Sequence, residues 1–347
     1  MKASTAAANE ALARRGQPWR VAATDWFTLA ERRRAAFGDL LETAADDIAL
    51  VPAASYGFAV AAANLPVGPR QAILCLDGDF PSGMNMWRRK AADCGARLIL
   101  ARPEKGESLT EALLRHWEPS VAIVAAAPVR WTDGALIDLA RISDRARANG
   151  TALVVDATQW IGAAPFDLKR IDPDFLICAR YKWLLSPYGL GYLYVAPRHH
   201  SGRPLEENWI ARMGAEDFAR LADHHPTYLP GARRFDAGEQ VGFELGEAAI
   251  HALGQLRAWG SERISAHLGR MTDHIAGRLA ARGFALAADG PRARHIVAVQ
   301  AGDMGDRDSD LAASGVFLSK RGSNLRISPH VHIDDDDIER LVRVLRP

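Results

Sequence analysis

An α/β protein built on a mostly parallel sheet is the fold class this sequence predicts, on three observations. Short, continuous apolar runs alternate with segments of helical spacing. The runs are too uniformly apolar for strands with one wet face, which suits strands buried on both faces. Polar and charged residues gather immediately after the runs, and sheets of this kind bind ligands at the carboxyl ends of their strands.

In chain order, the opening MKASTAAANEALARRG lacks the apolar block of a secretory signal and reads as the start of a helix. IALVPAASYGFAVAAANL breaks at Pro52-Ala53-Ala54-Ser55 and continues as an apolar helix. The strands follow as QAILCL (71–76), RLILA (97–101), VAIVAAA (121–127), ALVVDA (152–157), FLICA (175–179) and GYLYVA (191–196). Between them, MNMWRRKAADCGA and ALIDLARISDRARANG read as helices. In the second, Leu136, Ile137, Leu139, Ala140 and Ile142 sit near helical spacing and Gly150 is the stop signal. Strand–helix–strand order puts helices on both faces of the sheet. The region 203–245 has little periodicity. A long helical stretch runs from Glu247 to about Arg282. The tail from Phe284 reads as a small α+β unit: HIVAVQ, NLRIS and a closing helix, DDDDIERLVRVL. The acidic run Asp334 to Asp337 fits that helix's N-terminus, where negative charge is favourable.

The composition sets bounds. The 347 residues suit one large domain with a smaller one. Apolar residues make up 48% and charged residues 24%, as in a soluble globular protein. A net charge of +1 offers no basic surface for nucleic acid, and no apolar run is long enough to span a bilayer. Cys75, Cys94 and Cys178 give neither metal spacing nor a disulfide framework. The plain expectation is a cytoplasmic protein. His199-His200, His224-His225 and the histidines of 330–332 lack an acidic partner at metal spacing and are expected to be exposed or hydrogen-bonded.

The residues after the strands carry the chemistry. They are Asp77, Asp79 and Phe80, then Arg130, Trp131 and Thr132, then Asp156, Thr158 and Gln159, then Arg180, Tyr181 and Lys182. Lys182 lies between two strands that read as buried, where its charge must be paired, exposed or removed. The small residues at 53–55 leave a helix start open to a phosphate. Taken singly, each has a plainer reading. Asp-x-x-Gln can be a turn or cap, a lysine at a strand end can snorkel, Phe80 and Trp131 can be core, and Arg326 can pair with an acid.

Together, VVDATQWIGAAPFDL and CARYKWLLSPYGLGYLYV resemble the core of the class V aminotransferases, supported by VPAASYG, DGDFPS, VRWTDGALIDL, PLEENWIAR, GARRFDAGE and NLRISPH. The resemblance runs from about residue 10 to the end and is nearest the isopenicillin-N-epimerase-like branch, with cysteine desulfurases and kynureninases as cousins. It implies the fold type I architecture of enzymes that use pyridoxal 5′-phosphate (PLP): a large domain (1–255) with a mostly parallel seven-stranded sheet, and a small C-terminal α+β domain (256–347). It implies a homodimer with its active site at the interface, acting on a small amino-acid substrate. Lys182 would form the Schiff base, which needs a neutral amine. Asp156 would pair with the pyridine nitrogen and Gln159 with the phenolic oxygen. Phe80 would stack on the ring, while Ala54, Ser55 and Tyr181 would contact the phosphate. Arg326 would clamp the substrate α-carboxylate with its fork. No metal is implied.

Four departures from the family pattern shape the expectation. The segment before Arg326 holds no cysteine, so a persulfide-forming desulfurase is not expected, while direct elimination stays open. Ala179 replaces a phosphate-binding Ser or Thr. Glu239 and Gln240 stand where a partner subunit elsewhere offers Thr to the phosphate. The chain enters in the first helix rather than in an earlier strand and loop. The expected activity is aminotransferase or C–S/β-elimination lyase, with epimerase third. The alternative is a member that binds PLP or a partner with little catalysis.

Overall fold

The computed structural model describes residues 2–239, 242–288, 290–300 and 308–345. Its helices and strands follow as α1 (Lys2–Arg15), α2 (Asp25–Leu41), β1 (Ile48–Val51), α3 (Ala54–Asn64), β2 (Ala72–Leu76), α4 (Pro81–Cys94) and β3 (Arg97–Ala101). Next come α5 (Leu109–Arg115), β4 (Val121–Ala126), α6 (Leu139–Asn149), β5 (Ala152–Asp156), α7 (Leu168–Ile171), β6 (Phe175–Ala179) and β7 (Gly191–Val195). The remainder is α8 (Phe243–Trp259), α9 (Ser261–Ala280), β8 (Val297–Gln300), α10 (Asp308–Ala313), β9 (Ser319–Arg321), β10 (Asn324–Ile327) and α11 (Asp335–Val344).

The first seven strands form one sheet in the order β1-β7-β6-β5-β4-β2-β3. Pairs from β3 through β6 are parallel, and β7 is antiparallel to both of its neighbours. β1 therefore runs the same way as β6, and its carboxyl end opens on the same edge. The continuous apolar runs are explained by a two-sided core. Leu176 and Cys178 of β6 face one cluster, while Phe175 and Ile177 face the other. β2 divides likewise, with Leu74 and Leu76 on one side and Ile73 and Cys75 on the other. β3 departs from the expectation of burial on both faces: it is the sheet edge, and only Ala101 of its five residues is fully buried. β1, absent from the strands the sequence predicts, is four residues long and runs straight into Pro52, so it carries little strand signal.

Asp138 caps α6 by accepting from Ala140 and Arg141 N–H, and Gly150 ends it with φ 63°. The helical stretch after Glu247 is two helices. Gly260, at φ 80°, turns the chain between α8 and α9. Ile264 and Leu268 at the start of α9 join the core of the large sheet, while Met271, Ile275 and Leu279 join that of the small sheet, β8-β10-β9. α9 thus ties the two cores together. Asp334 and Asp337 form a reciprocal capping box at the start of α11. Region 203–245 holds short 3₁₀ helices at Phe218–Asp223 and Gly231–Phe235. There Arg233 pairs with Glu31 and Asp46 of its own chain.

Candidate active site

The carboxyl ends of β1, β2, β4, β5 and β6 open onto one cavity of about 370 Å³. The first turn of α3 brings Ala54 and Ser55, and β2 delivers Asp79 and Phe80. Val129 and Trp131 follow β4. Asp156, Thr158 and Gln159 close β5, and Tyr181 and Lys182 follow β6. Seven of the eight expected site residues meet here. The eighth, Arg326 on β10, stands beside this wall and donates from Nη1 to the Trp131 carbonyl at 2.6 Å.

Lys182 is half-buried, and burial pushes its ammonium down to about 8, reinforced by the nearby Arg326 and Arg321 guanidiniums. Asp156 acts in the opposite direction. The Lys182 Nζ lies 5.4 Å from the centre of the Phe80 ring and 5.6 Å from that of Tyr181. Burial raises the Asp156 carboxyl, against the pull of hydrogen bonds from Thr158. Thr158 N–H donates to Asp156 Oδ1 at 3.0 Å, and the Thr158 hydroxyl oxygen accepts from Ala179 N–H at 3.0 Å. Ala179 thus contributes its backbone to the seam between β5 and β6.

Gln159 is buried and fixed in orientation: its Oε1 accepts from Trp183 Nε1 at 3.0 Å. That leaves Nε2, a buried donor with no partner. The backbone carbonyl of Gln159 accepts from His295 Nε2 at 2.6 Å. His295 is fully buried, meets Trp183 edge-on at 4.6 Å, and burial pushes it down to about 4. Gly162 permits this arrangement: with φ 98°, a Cβ there would sit 2.3 Å from the Trp183 carbonyl oxygen.

At the mouth, Tyr181 stacks on the exposed Tyr188, with ring centres 4.1 Å apart. α3 starts from an extended Ala53 with no side-chain cap, which leaves first-turn N–H groups for a ligand. Glu239 is exposed, and Gln240 lies outside the described residues.

Three participants were given no role on sequence grounds. Asp79 faces Asp156, and burial with that neighbour's charge pushes it up to about 7. Trp131 meets Phe80 edge-on at 5.6 Å and donates from Nε1 to the Gly78 carbonyl at 3.1 Å. His295 reaches the site through a backbone carbonyl. The position of Asp79 and Trp131 after strands was their only signal, and His295 had none.

The family model for class V aminotransferases matches residues 11–341. The chain belongs to the class V aminotransferase family. An uncharacterized aminotransferase, YcbU of Bacillus subtilis, is 24% identical over 92% of this chain and 84% of its own length. The kynureninase of Deinococcus radiodurans is 29% identical over 68% of this chain and 56% of its own. The isopenicillin N epimerase of Streptomyces clavuligerus is 29% identical over 52% of this chain and 50% of its own. Among solved structures, a mutant of C-DES with glycine covalently linked to its PLP cofactor superposes with a TM-score of 0.87 at 18% identity, over 98% of this chain and 92% of that one. The cystine C–S lyase C-DES, in complex with its product cysteine persulfide, gives 0.86 at 19%, over 98% and 94%. These likenesses establish the fold type I architecture.

Class V aminotransferases depend on PLP, and the residues present fit that cofactor. The orphaned Nε2 of Gln159 needs an acceptor. The raised Asp156 carboxyl needs a cationic or proton-sharing partner, and the lowered Lys182 ammonium suits an amine that must lose its charge.

Proposed function

We propose that this class V aminotransferase holds PLP on Lys182 and works at the α-carbon of an amino acid, as an aminotransferase or a C–S/β-elimination lyase. The observation that carries the reading is that the lowered Lys182 amine and the half-buried Asp156 carboxylate line one cavity, beside an unpartnered Gln159 Nε2.

The cofactor, when bound, supplies an electron sink for charge developing at the substrate α-carbon. Asp156 offers its carboxylate to the protonated ring nitrogen. Gln159 Nε2 donates to the phenolic oxygen, and its partner Trp183 keeps that donor aimed. Phe80 covers one ring face. Ala54 and Ser55 of α3, with Tyr181, receive the phosphate, whose charge the helix N-terminus favours. Arg326 keeps its Nε edge free to take the α-carboxylate, since Nη1 is committed to Trp131. Once the substrate's amino group has replaced Lys182 on the cofactor, the freed Lys182 Nζ would remove the α-proton, a contribution of roughly 10²–10⁴-fold for a positioned base. With an ammonium pushed down to about 8, a usable neutral fraction exists near neutral pH.

The same reading makes the protein a cytoplasmic homodimer with its site at the subunit interface. Exposed Trp209, Met213 and Phe218 in segment 203–245 support a covered face there. A lyase path would work without a cysteine nucleophile, in keeping with the segment before Arg326.

The test is product analysis on the PLP-loaded protein with single amino acids, including cystine, with and without an acceptor keto acid. Amino transfer to the keto acid identifies the aminotransferase. Release of ammonia or a sulfur product without it identifies the lyase. Neither product from any amino acid, with cofactor bound, would leave a PLP-binding protein without this catalysis.

A further inference from the structure

The hairpin of β9 and β10 carries a second guanidinium toward this site. Arg321 pairs with Asn324 across the strands, and Arg326 lies two residues beyond Asn324. Cross-strand partners share a face, as do residues two apart, so the spacing Arg-Gly-Ser-Asn-Leu-Arg sets both arginines on one face. The opposite face carries Leu325 into the small core. Both guanidiniums are held by Trp131. Arg326 bonds its carbonyl, and the Cζ of Arg321 lies 5.6 Å from the centre of its ring. Arg321 donates from Nη1 to the Lys320 carbonyl at 2.9 Å, but its buried Nε has no partner. Among the described residues, neither arginine forms an ion pair with a carboxylate. Both lie close enough to Lys182 to disfavour its charge.

The charges therefore do not close with a simple amino acid. Asp156 is committed to the cofactor, and Asp79 Oδ1 accepts from Phe80 N–H at 2.7 Å on that same side. An α-carboxylate satisfies Arg326, but Arg321 still presents an unanswered cation with an unpartnered buried donor. We propose that Arg321 is a specificity residue that binds a second acidic group on the substrate side chain, so that the preferred substrates are amino acids with an acidic side chain. This rests on the reading of the cavity as a PLP site for amino acids. Trp131 is the shared platform that fixes the spacing of the two guanidiniums.

The test uses the PLP-loaded protein and unreactive probes: succinate and glutarate against propionate and butyrate, with dissociation constants from calorimetric titration. The expected result is at least tenfold tighter binding of one dicarboxylate than of its monocarboxylate counterpart. Arg321→Gln should erase most of that preference while weakening the monocarboxylate far less, and Arg321→Lys should restore part of it. Continued monocarboxylate binding shows that the variant site is folded. Equal affinities in the unmodified protein, or a preference that survives Arg321→Gln, would overturn the proposal. Failure of the PLP reading has a different signature, the lack of any Lys182-dependent visible band.

Discussion

Two places in this molecule bury charge, and they treat it differently. Under β1, Arg34 and Asp236 are almost wholly enclosed and saturate each other. Arg34 bonds Asp236 and the Ile48 carbonyl at 2.7 Å and reaches Glu31 at 3.0 Å, while Asp236 also accepts from Leu50 N–H at 2.8 Å. Just past β5 and on β9 and β10, by contrast, Gln159 Nε2, Arg321 Nε and Arg326 Nε are buried without partners. A buried donor left unmade costs about 1–3 kcal/mol, so folding alone favours the first arrangement and opposes the second. The first cluster serves the fold, and the second holds open donors that the proposed cofactor and substrate would complete. Arg180 shows that orphaned donors alone do not mark a site. It too has unpartnered buried nitrogens, yet it lies against Tyr192, 5.1 Å from the ring centre, and outside the cavity.

The largest effect should come from breaking the saturated cluster. Asp236→Ala strands Arg34 and should cost about 3–5 kcal/mol in urea unfolding. An equal loss on removing a cavity polar group would erase the contrast. Acid provides the next test. His295 takes a proton near 6.5 when unfolded but only near 4 when folded. Its contribution is therefore complete above about pH 6.5 and is lost as pH falls toward 4, on the order of 3 kcal/mol. His295→Gln should flatten that part of the stability–pH curve, where His330, also pushed down to about 4, adds in the same direction and Asp79, pushed up to about 7, opposes it.

Gln159→Leu sharpens the comparison from the other side. It should leave the cofactor-free protein within about 1 kcal/mol of the original while weakening PLP binding roughly tenfold, the worth of one hydrogen bond. Equilibrium dialysis against PLP, paired with thermal unfolding, separates the two. Lys182→Ala should raise the melting temperature of the cofactor-free protein below pH 8. There the lysine's folded-state penalty is fully present, and the gain should fade toward pH 10.5. The smallest effect is expected far from both clusters. Asp334→Ala removes the cap of α11 and should cost about 1 kcal/mol with no change in cofactor affinity.

Much of this was legible in the sequence because the main sheet buries both faces. That makes β2, β4, β5, β6 and β7 read as apolar runs, and the polar residues just beyond them, Asp156, Gln159 and Lys182 among them, stand out. β1 and β9 were not legible, being four residues and three mostly polar residues long. The hub role of Trp131 was hidden for another reason. Its partners Gly78 and Phe80 come from one distant segment and Arg321 and Arg326 from another, and only the fold brings them together. His295 acts through the main chain of Gln159, where side-chain identity leaves no motif. Gly260 read as part of one long helix because a single glycine within helical spacing does not announce a turn.

The most direct measurement is the visible absorption spectrum of the protein with added PLP, recorded beside Lys182→Ala. The account predicts a protein-bound visible band in the unmodified chain that is absent from the variant and changes when an amino acid is added. Identical spectra for the two proteins, or no bound band in either, would contradict it.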